Sequence, residues 1–153
     1  MSPMAKIRVS TVIDAEPAAV WAVVEPIERH VDWMADAEAI RFTSEQTRGV
    51  GTTFECDTKV GPARLTDLME ITEWVDGEVM GVRHTGLVTG TGRFTLHPAG
   101  PGRTEFRWEE ELIFPFWMGG PLRDPIGGRI LEWIWRRNLK RLKAIAEAHV
   151  PAA

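Results

Sequence analysis

The sequence predicts an α+β domain in which a curved, seven-stranded antiparallel sheet surrounds a long C-terminal helix, with two short helices after strand 1. Three observations predict this class. Apolar and polar residues alternate in seven segments, which is the period of half-buried strands. Short connections rich in Gly, Pro and Asp join the last six of these segments, so an antiparallel meander is expected. The final segment has helical periodicity, and its apolar face must cover the sheet.

The composition fits one globular domain that spans residues 1–153. Hydrophobic residues make up 44% and charged residues 26% of the chain, which is typical of a folded protein rather than a disordered one. The net charge of -4 argues against nucleic-acid binding. There is no apolar run of membrane-spanning length and no signal-peptide pattern, so we expect a cytoplasmic protein without stable membrane insertion.

The N-terminal elements follow from local signals. The alternation over 5–14 predicts the first strand. Pro17 lies near the start of the first helix and Pro26 ends it, while "IERHVDW" (27–33) predicts a second short helix. Turn residues then divide the middle of the chain into six further strands, at roughly 37–46, 51–60, 63–75, 78–86, 89–97 and 103–114.

The last helix is predicted from 121 or 125 to 149, because Asp124 and Pro125 suit an N-cap and a first helical position. Its apolar face is predicted to hold Ile126, Ile130, Leu131, Ile134, Leu142 and Ile145. Asn138 falls near the centre of that face, where a buried amide needs hydrogen-bond partners. Those partners could belong to a strand end, to a ligand or to cavity water.

One strand carries a carboxylate in its apolar row. In "EFRWEEELIF" (105–114), Glu110 shares the register of Phe106, Trp108, Leu112 and Phe114. Its neighbours alternate to the other face, where carboxylates normally lie. The sequence therefore predicts that Glu110 points inward and that the interior has a polar end.

Turn lengths predict which residues surround Glu110. A two-residue turn at Asp76-Gly77 pairs Met69 with His84, and a three-residue turn at 86–88 pairs His84 with Gly90. If Leu96 pairs with Thr104, then Gly90 lies opposite Glu110. The side chains of His84 and Glu110 could then meet above a bare glycine, with Asp67 diagonal to His84.

The sequence leaves the role of this group open. Glu110, His84 and Asp67 could be a structural polar cluster, a ligand anchor, or candidate catalytic residues for acid–base chemistry. Together with the inward apolar rows they define a predicted ligand site. Its residues are Phe54, Met69, Val82, His84, Phe94, Trp108, Glu110, Ile134 and Asn138.

Other motifs predict no chemistry. Cys56 fits a small buried thiol better than a nucleophile, and the four histidines lack metal-ligand spacing. "GVGTTF" and "GTGRF" lack the third glycine of a dinucleotide fingerprint. No metal or cofactor is therefore expected. The segment "FPFWMGG" (114–120) could be a cavity gate, a homodimer contact or ordinary loop packing.

Several stretches, in order, resemble one superfamily. They are "VSTVIDAEPAAVWAVV", "HVDW", "GVGTTF", "GRFTLHPAGPGRTEFRW" and "NLKRLKAIAEAH". This order is similar to the START/Bet v 1-like (SRPBCC) superfamily, in particular its polyketide cyclase/dehydrase-like group. The resemblance implies a helix-grip fold with an apolar ligand cavity. Members include aromatase/cyclases, lipid and hormone carriers, and co-chaperone-like domains, so fold alone leaves the function open.

Two functions from different classes remain. The first is a carrier or sensor that binds a hydrophobic small molecule, which could be polyketide-, lipid- or isoprenoid-like. The second is a cyclase- or dehydratase-type enzyme. Cyclase-type members often use cavity Arg and Tyr residues, whereas this chain has no Tyr. None of its arginines falls clearly on an inward row, which favours the carrier.

Overall fold

The computed structural model describes residues 4–114 and 125–149, and its elements follow the predicted order. They are β1 (Met4–Ile13), α1 (Pro17–Val24), a 3-10 helix (Ile27–Asp32), β2 (Ala37–Phe42), β3 (Thr53–Val60), β4 (Ala63–Val75), β5 (Val79–Thr85), β6 (Thr89–Pro98), β7 (Thr104–Ile113) and α2 (Pro125–Ala148). The seven strands form one antiparallel sheet in the order β1-β7-β6-β5-β4-β3-β2. The predicted α+β helix-grip architecture is thereby confirmed.

Helix α2 packs against the concave face of the sheet. Its fully buried apolar residues are Leu131, Trp135, Leu139, Leu142 and Ala146. The predicted apolar face was partly wrong, because Ile130 is 41% exposed while Trp135 is buried. The Trp135 ring stacks on Trp108 of β7, with centroids 4.3 Å apart and planes 10° from parallel. Seating this large ring on the sheet turns the helix towards the stripe that contains Leu131, Trp135 and Leu139.

The β4–β5 hairpin pairs Met69 with His84 and Ile71 with Val82, as predicted. Its turn is one residue longer than predicted, since Val75 pairs with Val79 rather than with Glu78. A β-bulge between Ile71 and Glu73 absorbs the extra residue. The two deviations cancel, so the inward row keeps its predicted partners.

The predicted register of β6 with β7 was wrong by two residues. Strand β6 continues through Pro98, which pairs with Thr104, and the connection is a tight turn with left-handed Gly100 and Gly102. Gly92 therefore lies opposite Glu110, and Gly90 lies opposite Leu112. A shift of two residues leaves every side chain on its predicted face, so Glu110 still points inward.

Two further expectations concerned the segment 114–120 and the crossing of a membrane. Of the candidate gate or dimer segment 114–120, only Phe114 lies within the described residues, where it is buried. The gate and the homodimer stay predictions. Among the described residues, no helix is long and apolar enough to cross a membrane.

Candidate functional site

A cavity of about 120 Å³ lies between the concave face of the sheet and α2. Its wall is mostly apolar, with polar groups confined to a few positions. Seven of the predicted ligand-binding residues line it, namely Phe54, Met69, Val82, His84, Phe94, Trp108 and Glu110. The candidate catalytic residue Asp67 lines it as well. The inward rows of β3 to β7 thus converge on one cavity.

The remaining two predicted residues lie elsewhere. Ile134 and Asn138 line a separate surface hollow rather than the cavity. Asn138 is fully buried, and its Oδ1 accepts a hydrogen bond from the Ala35 backbone N–H at 3.0 Å. Its Nδ2 donates to Asp36 Oδ1 at 2.8 Å. Asn138 therefore ties α2 to the segment that leads into β2, which is the strand-end packing that the sequence left open.

The polar end of the cavity is a linear cluster of three side chains. The imidazole of His84 lies between two carboxylates, with Nδ1 2.8 Å from Asp67 Oδ2 and Nε2 2.8 Å from Glu110 Oε1. All three residues are buried, with exposed fractions of 6% for His84 and 9% for each acid. We refer to these three residues as the Asp67–His84–Glu110 cluster.

The strand pairings explain how three separate strands supply this cluster. His84 on β5 pairs with Gly90 on β6, and Glu110 on β7 pairs with Gly92 two residues further along β6. A Cβ added at Gly92 would lie 2.5 Å from Glu110 Cγ and 2.8 Å from Cδ. The bare backbone at Gly92 is therefore the space through which Glu110 reaches His84.

Electrostatics favour a charged imidazole. Burial alone would lower the pKa of His84, but hydrogen bonds and attraction to Asp67 and Glu110 outweigh it and raise the pKa to about 10. The ring thus carries a proton on each nitrogen near neutral pH and donates to both carboxylates. One oxygen of Asp67, Oδ1, is buried and has no hydrogen-bond partner among residues 4–114 and 125–149.

Burial also changes the proton affinity of Glu110. Burial raises its pKa, and the bond with His84 only partly opposes this effect. With all three groups ionised, the cluster would hold two negative charges against one positive charge in an apolar wall. Taking up a proton at Glu110 relieves that excess, so this carboxyl can switch between hydrogen-bond acceptor and donor.

The sequence analysis missed other polar residues on the cavity wall. His30 is buried, and its Nε2 donates to the Val24 carbonyl at 2.8 Å. Burial lowers its pKa to about 4, so this second imidazole is neutral. Asp36 lines the cavity too, and its carboxylate accepts from Trp135 Nε1 at 3.1 Å. No short-range sequence pattern marks either residue, because each reaches the wall from a loop or short helix.

Residues 4–114 and 125–149 contain no group of three His, Cys, Asp or Glu side chains placed to hold a metal ion. In the Asp67–His84–Glu110 cluster, both ring nitrogens already face carboxylates. The thiol of Cys56 also lines the cavity, and burial raises its pKa to about 11, which disfavours the nucleophilic thiolate.

The family model described as polyketide cyclase / dehydrase and lipid transport matches residues 4–147. The chain belongs to this family. Membership agrees with the predicted superfamily and points to hydrophobic ligand binding or cyclase activity as the two classes of function. No curated protein sequence matches the chain significantly.

Solved structures show the same fold at low identity. The protein TTHA0849 from Thermus thermophilus is 18% identical with a TM-score of 0.79, and the match covers 95% of this chain and 99% of that one. The Zhui aromatase/cyclase from a Streptomyces species is 17% identical with a TM-score of 0.75 and 97% coverage of both chains. A START superfamily protein from Mycobacterium smegmatis is 11% identical with a TM-score of 0.77, covering 95% of this chain and 99% of that one. These likenesses establish the fold alone.

Proposed function

We propose that the protein binds a mostly apolar small molecule in its internal cavity and acts as a carrier or sensor of that molecule. One observation carries the proposal: the wall is apolar except where the Asp67–His84–Glu110 cluster and a few isolated groups interrupt it. Cavities of this composition take up apolar bodies, and a small number of fixed polar groups orient them.

The size of the cavity limits the ligand. An apolar cavity of roughly 150 Å³ holds a benzene ring, so a cavity of about 120 Å³ encloses an apolar body of about that size. A flat bicyclic aromatic or a short isoprenoid chain would extend from the cavity towards its open side. A polyketide- or lipid-like molecule would need to enter in part or to widen the cavity.

The cluster also limits the head group of the ligand. Its two carboxylates repel an anion at this end of the cavity, whereas a hydroxyl can donate to an ionised Glu110. A carbonyl can instead accept a hydrogen bond from protonated Glu110. The expected ligand therefore presents a hydroxyl or carbonyl group to Glu110 and its apolar body to the rings of Phe94 and Trp108.

Binding can be tested with 2-naphthol and naphthalene, which differ by one hydroxyl group. Both should displace an environment-sensitive dye bound near one-to-one, and 2-naphthol should bind more tightly. Glu110→Gln should retain the fold, because the amide is nearly isosteric, and should weaken 2-naphthol by about 1–3 kcal/mol. Naphthalene affinity should stay unchanged.

The matched control is Glu109→Gln, which removes a carboxylate one residue away on the opposite face of β7. The side chain of Glu109 lies between Arg8 and Arg93 in the strand register, away from the cavity. This variant should bind both compounds as the parent protein does. Absence of any dye or naphthalene binding to the parent protein would refute the proposal.

Acid–base catalysis is the second candidate, and the raised pKa of buried Glu110 favours it. A protonated Glu110 could donate to a carbonyl or departing hydroxyl of a polyketide-like substrate, and the ionised form could take up a proton. The aromatase/cyclase among the structural neighbours is consistent with such chemistry. Mass spectrometry after incubation with a linear polyketone distinguishes the two functions. A carrier returns the compound unchanged, whereas an enzyme yields a dehydrated product that Glu110→Gln fails to form.

A further inference from the structure

A second concave site lies beside the cavity, on the side where α2 meets the β3–β4 turn. This hollow of about 190 Å³ is lined by three cationic residues, Lys59, Arg137 and Arg141. We call it the basic hollow. Nothing in the proposed binding of an apolar body requires such a site, and the chain as a whole carries a net charge of -4.

The basic hollow has an excess of positive charge. Arg137 and Arg141 are one helical turn apart on α2, where like charges repel each other. Within residues 4–114 and 125–149, no carboxylate forms a salt bridge with either of them, whereas the adjacent Arg136 pairs with Glu132 at 2.5 Å. Lys59 and Arg64 pair in the strand register and alternate with inward residues such as Val60 and Leu65. The positive charge that faces the hollow therefore comes from Arg137 and Arg141.

The carboxylate in the wall of the basic hollow is already engaged. Asp36 accepts hydrogen bonds from Asn138 Nδ2 at 2.8 Å and from Trp135 Nε1 at 3.1 Å, one to each oxygen. Among the described residues, Asp36 forms no salt bridge with a cation. The charges of Arg137 and Arg141 are therefore available to an anion from outside the chain.

The basic hollow adjoins the ligand cavity. Asp36 and Val60 belong to the walls of both spaces. The wall of the hollow also has an aromatic surface, since Trp133 is 58% exposed and Arg137 lies over its ring, 4.8 Å from the centroid. A linear group that leaves the cavity past Val60 would therefore enter a site with an aromatic face and two arginines.

We propose that the basic hollow binds an anionic group, carboxylate or phosphate, at one end of the ligand whose apolar body occupies the cavity. This inference rests on the proposed binding function and specifies the ligand class as amphipathic. The arrangement also orients the ligand. The Asp67–His84–Glu110 cluster repels an anion, while Arg137 and Arg141 attract one, so the charged end faces the hollow.

The test uses a naphthalene ring joined by an alkyl linker to a carboxylate, to a phosphate, or to the neutral methyl ester of the carboxylate. Linkers of increasing length vary the distance between the ring in the cavity and the charged group beyond Val60. At low salt, one linker length should give an anion that binds the full-length protein at least tenfold more tightly than the matched ester. This difference in affinity between anion and ester should shrink as the salt concentration is raised, because salt screens exposed charges.

The variant Arg137→Gln/Arg141→Gln should abolish the advantage of the anion and leave the affinity for the ester unchanged. Arg136→Gln is the matched control, since it removes an arginine of the same helix that is paired with Glu132, and it should retain the full advantage. An advantage that survives in the Arg137→Gln/Arg141→Gln protein would overturn the inference. Equal binding of ester and anions would overturn it too while leaving the proposed function intact. If neither the ester nor the anions bind, the inference and the proposed binding function are both refuted.

Discussion

Replacing Gly92 by Ala tests the geometry of the polar cluster with the smallest possible change. The Gly92 backbone does not have a left-handed φ, so alanine is compatible with it. The new methyl group would lie 2.5 Å from Glu110 Cγ, well inside van der Waals contact. The side chain of Glu110 would have to swing away, and its oxygen would lose the 2.8 Å contact with His84 Nε2.

Two opposing effects determine how much Gly92→Ala changes the free energy of unfolding. Loss of a hydrogen bond between charged groups costs about 1.5–3 kcal/mol. Replacing glycine within a strand regains about 0.5–1 kcal/mol through reduced freedom of the unfolded chain. The free energy of unfolding should therefore fall by about 0.5–2.5 kcal/mol. For a chain of this length, each kcal/mol lowers the melting temperature by about 2–4 °C.

Urea unfolding can isolate the clash between a methyl group at position 92 and the side chain of Glu110. The four proteins to compare are the parent, Gly92→Ala, Glu110→Ala and the double variant. In the Glu110→Ala background, the side-chain atoms that would collide are absent, so adding Gly92→Ala should be neutral or stabilising. If Gly92→Ala costs the same in both backgrounds, Glu110 does not pass over Gly92, and the observed register of β6 with β7 is refuted.

Two further predictions concern proton binding and the helix anchor. The ¹⁵N resonances of His84 should show a doubly protonated ring at pH 8, because its pKa is about 10. The stability that this cation contributes is complete below the unfolded pKa of about 6.5 and is lost as pH rises towards 10, so titration near pH 6.5 would contradict the assignment. Asn138→Ala should lower the free energy of unfolding by about 2 kcal/mol or more, since it leaves buried partners at Ala35 and Asp36 unpaired. The exposed control Arg136→Gln should change it by less than about 0.5 kcal/mol, measured by urea unfolding.

The inward face of each strand could be predicted because side-chain direction depends only on the parity of position. Glu110 was predicted to point inward although its partner was misassigned by two residues, since an even error retains the face. The pairing of Met69 with His84 survived for a different reason. There, a longer turn and a bulge near Ile71 compensated each other, and no local pattern reveals such a bulge.

Features that depend on packing between distant elements could not be predicted. The orientation of α2 is set by the stacking of Trp135 on Trp108, whereas helical periodicity alone gave equal weight to Ile130. Asn138 was correctly expected to be buried, but its partners Ala35 and Asp36 lie over 100 residues away in the chain. Hydrogen bonds of such separation leave no signal in the spacing of either segment.

The glycines of strand β6 bear on the proposed role of the Asp67–His84–Glu110 cluster. The strand has glycines at 90 and 92, on the face towards the cavity, which lowers strand stability and removes packing volume. A Cβ at Gly92 would displace Glu110, and a Cβ at Gly90, whose φ is +131°, would collide with the Glu111 carbonyl. Buried ionic clusters of this kind are often no more stabilising than apolar residues of the same volume. A sequence that gives up packing at Gly92 to bring His84 and Glu110 together loses stability there, which is the cost expected if the cluster orients a ligand as proposed.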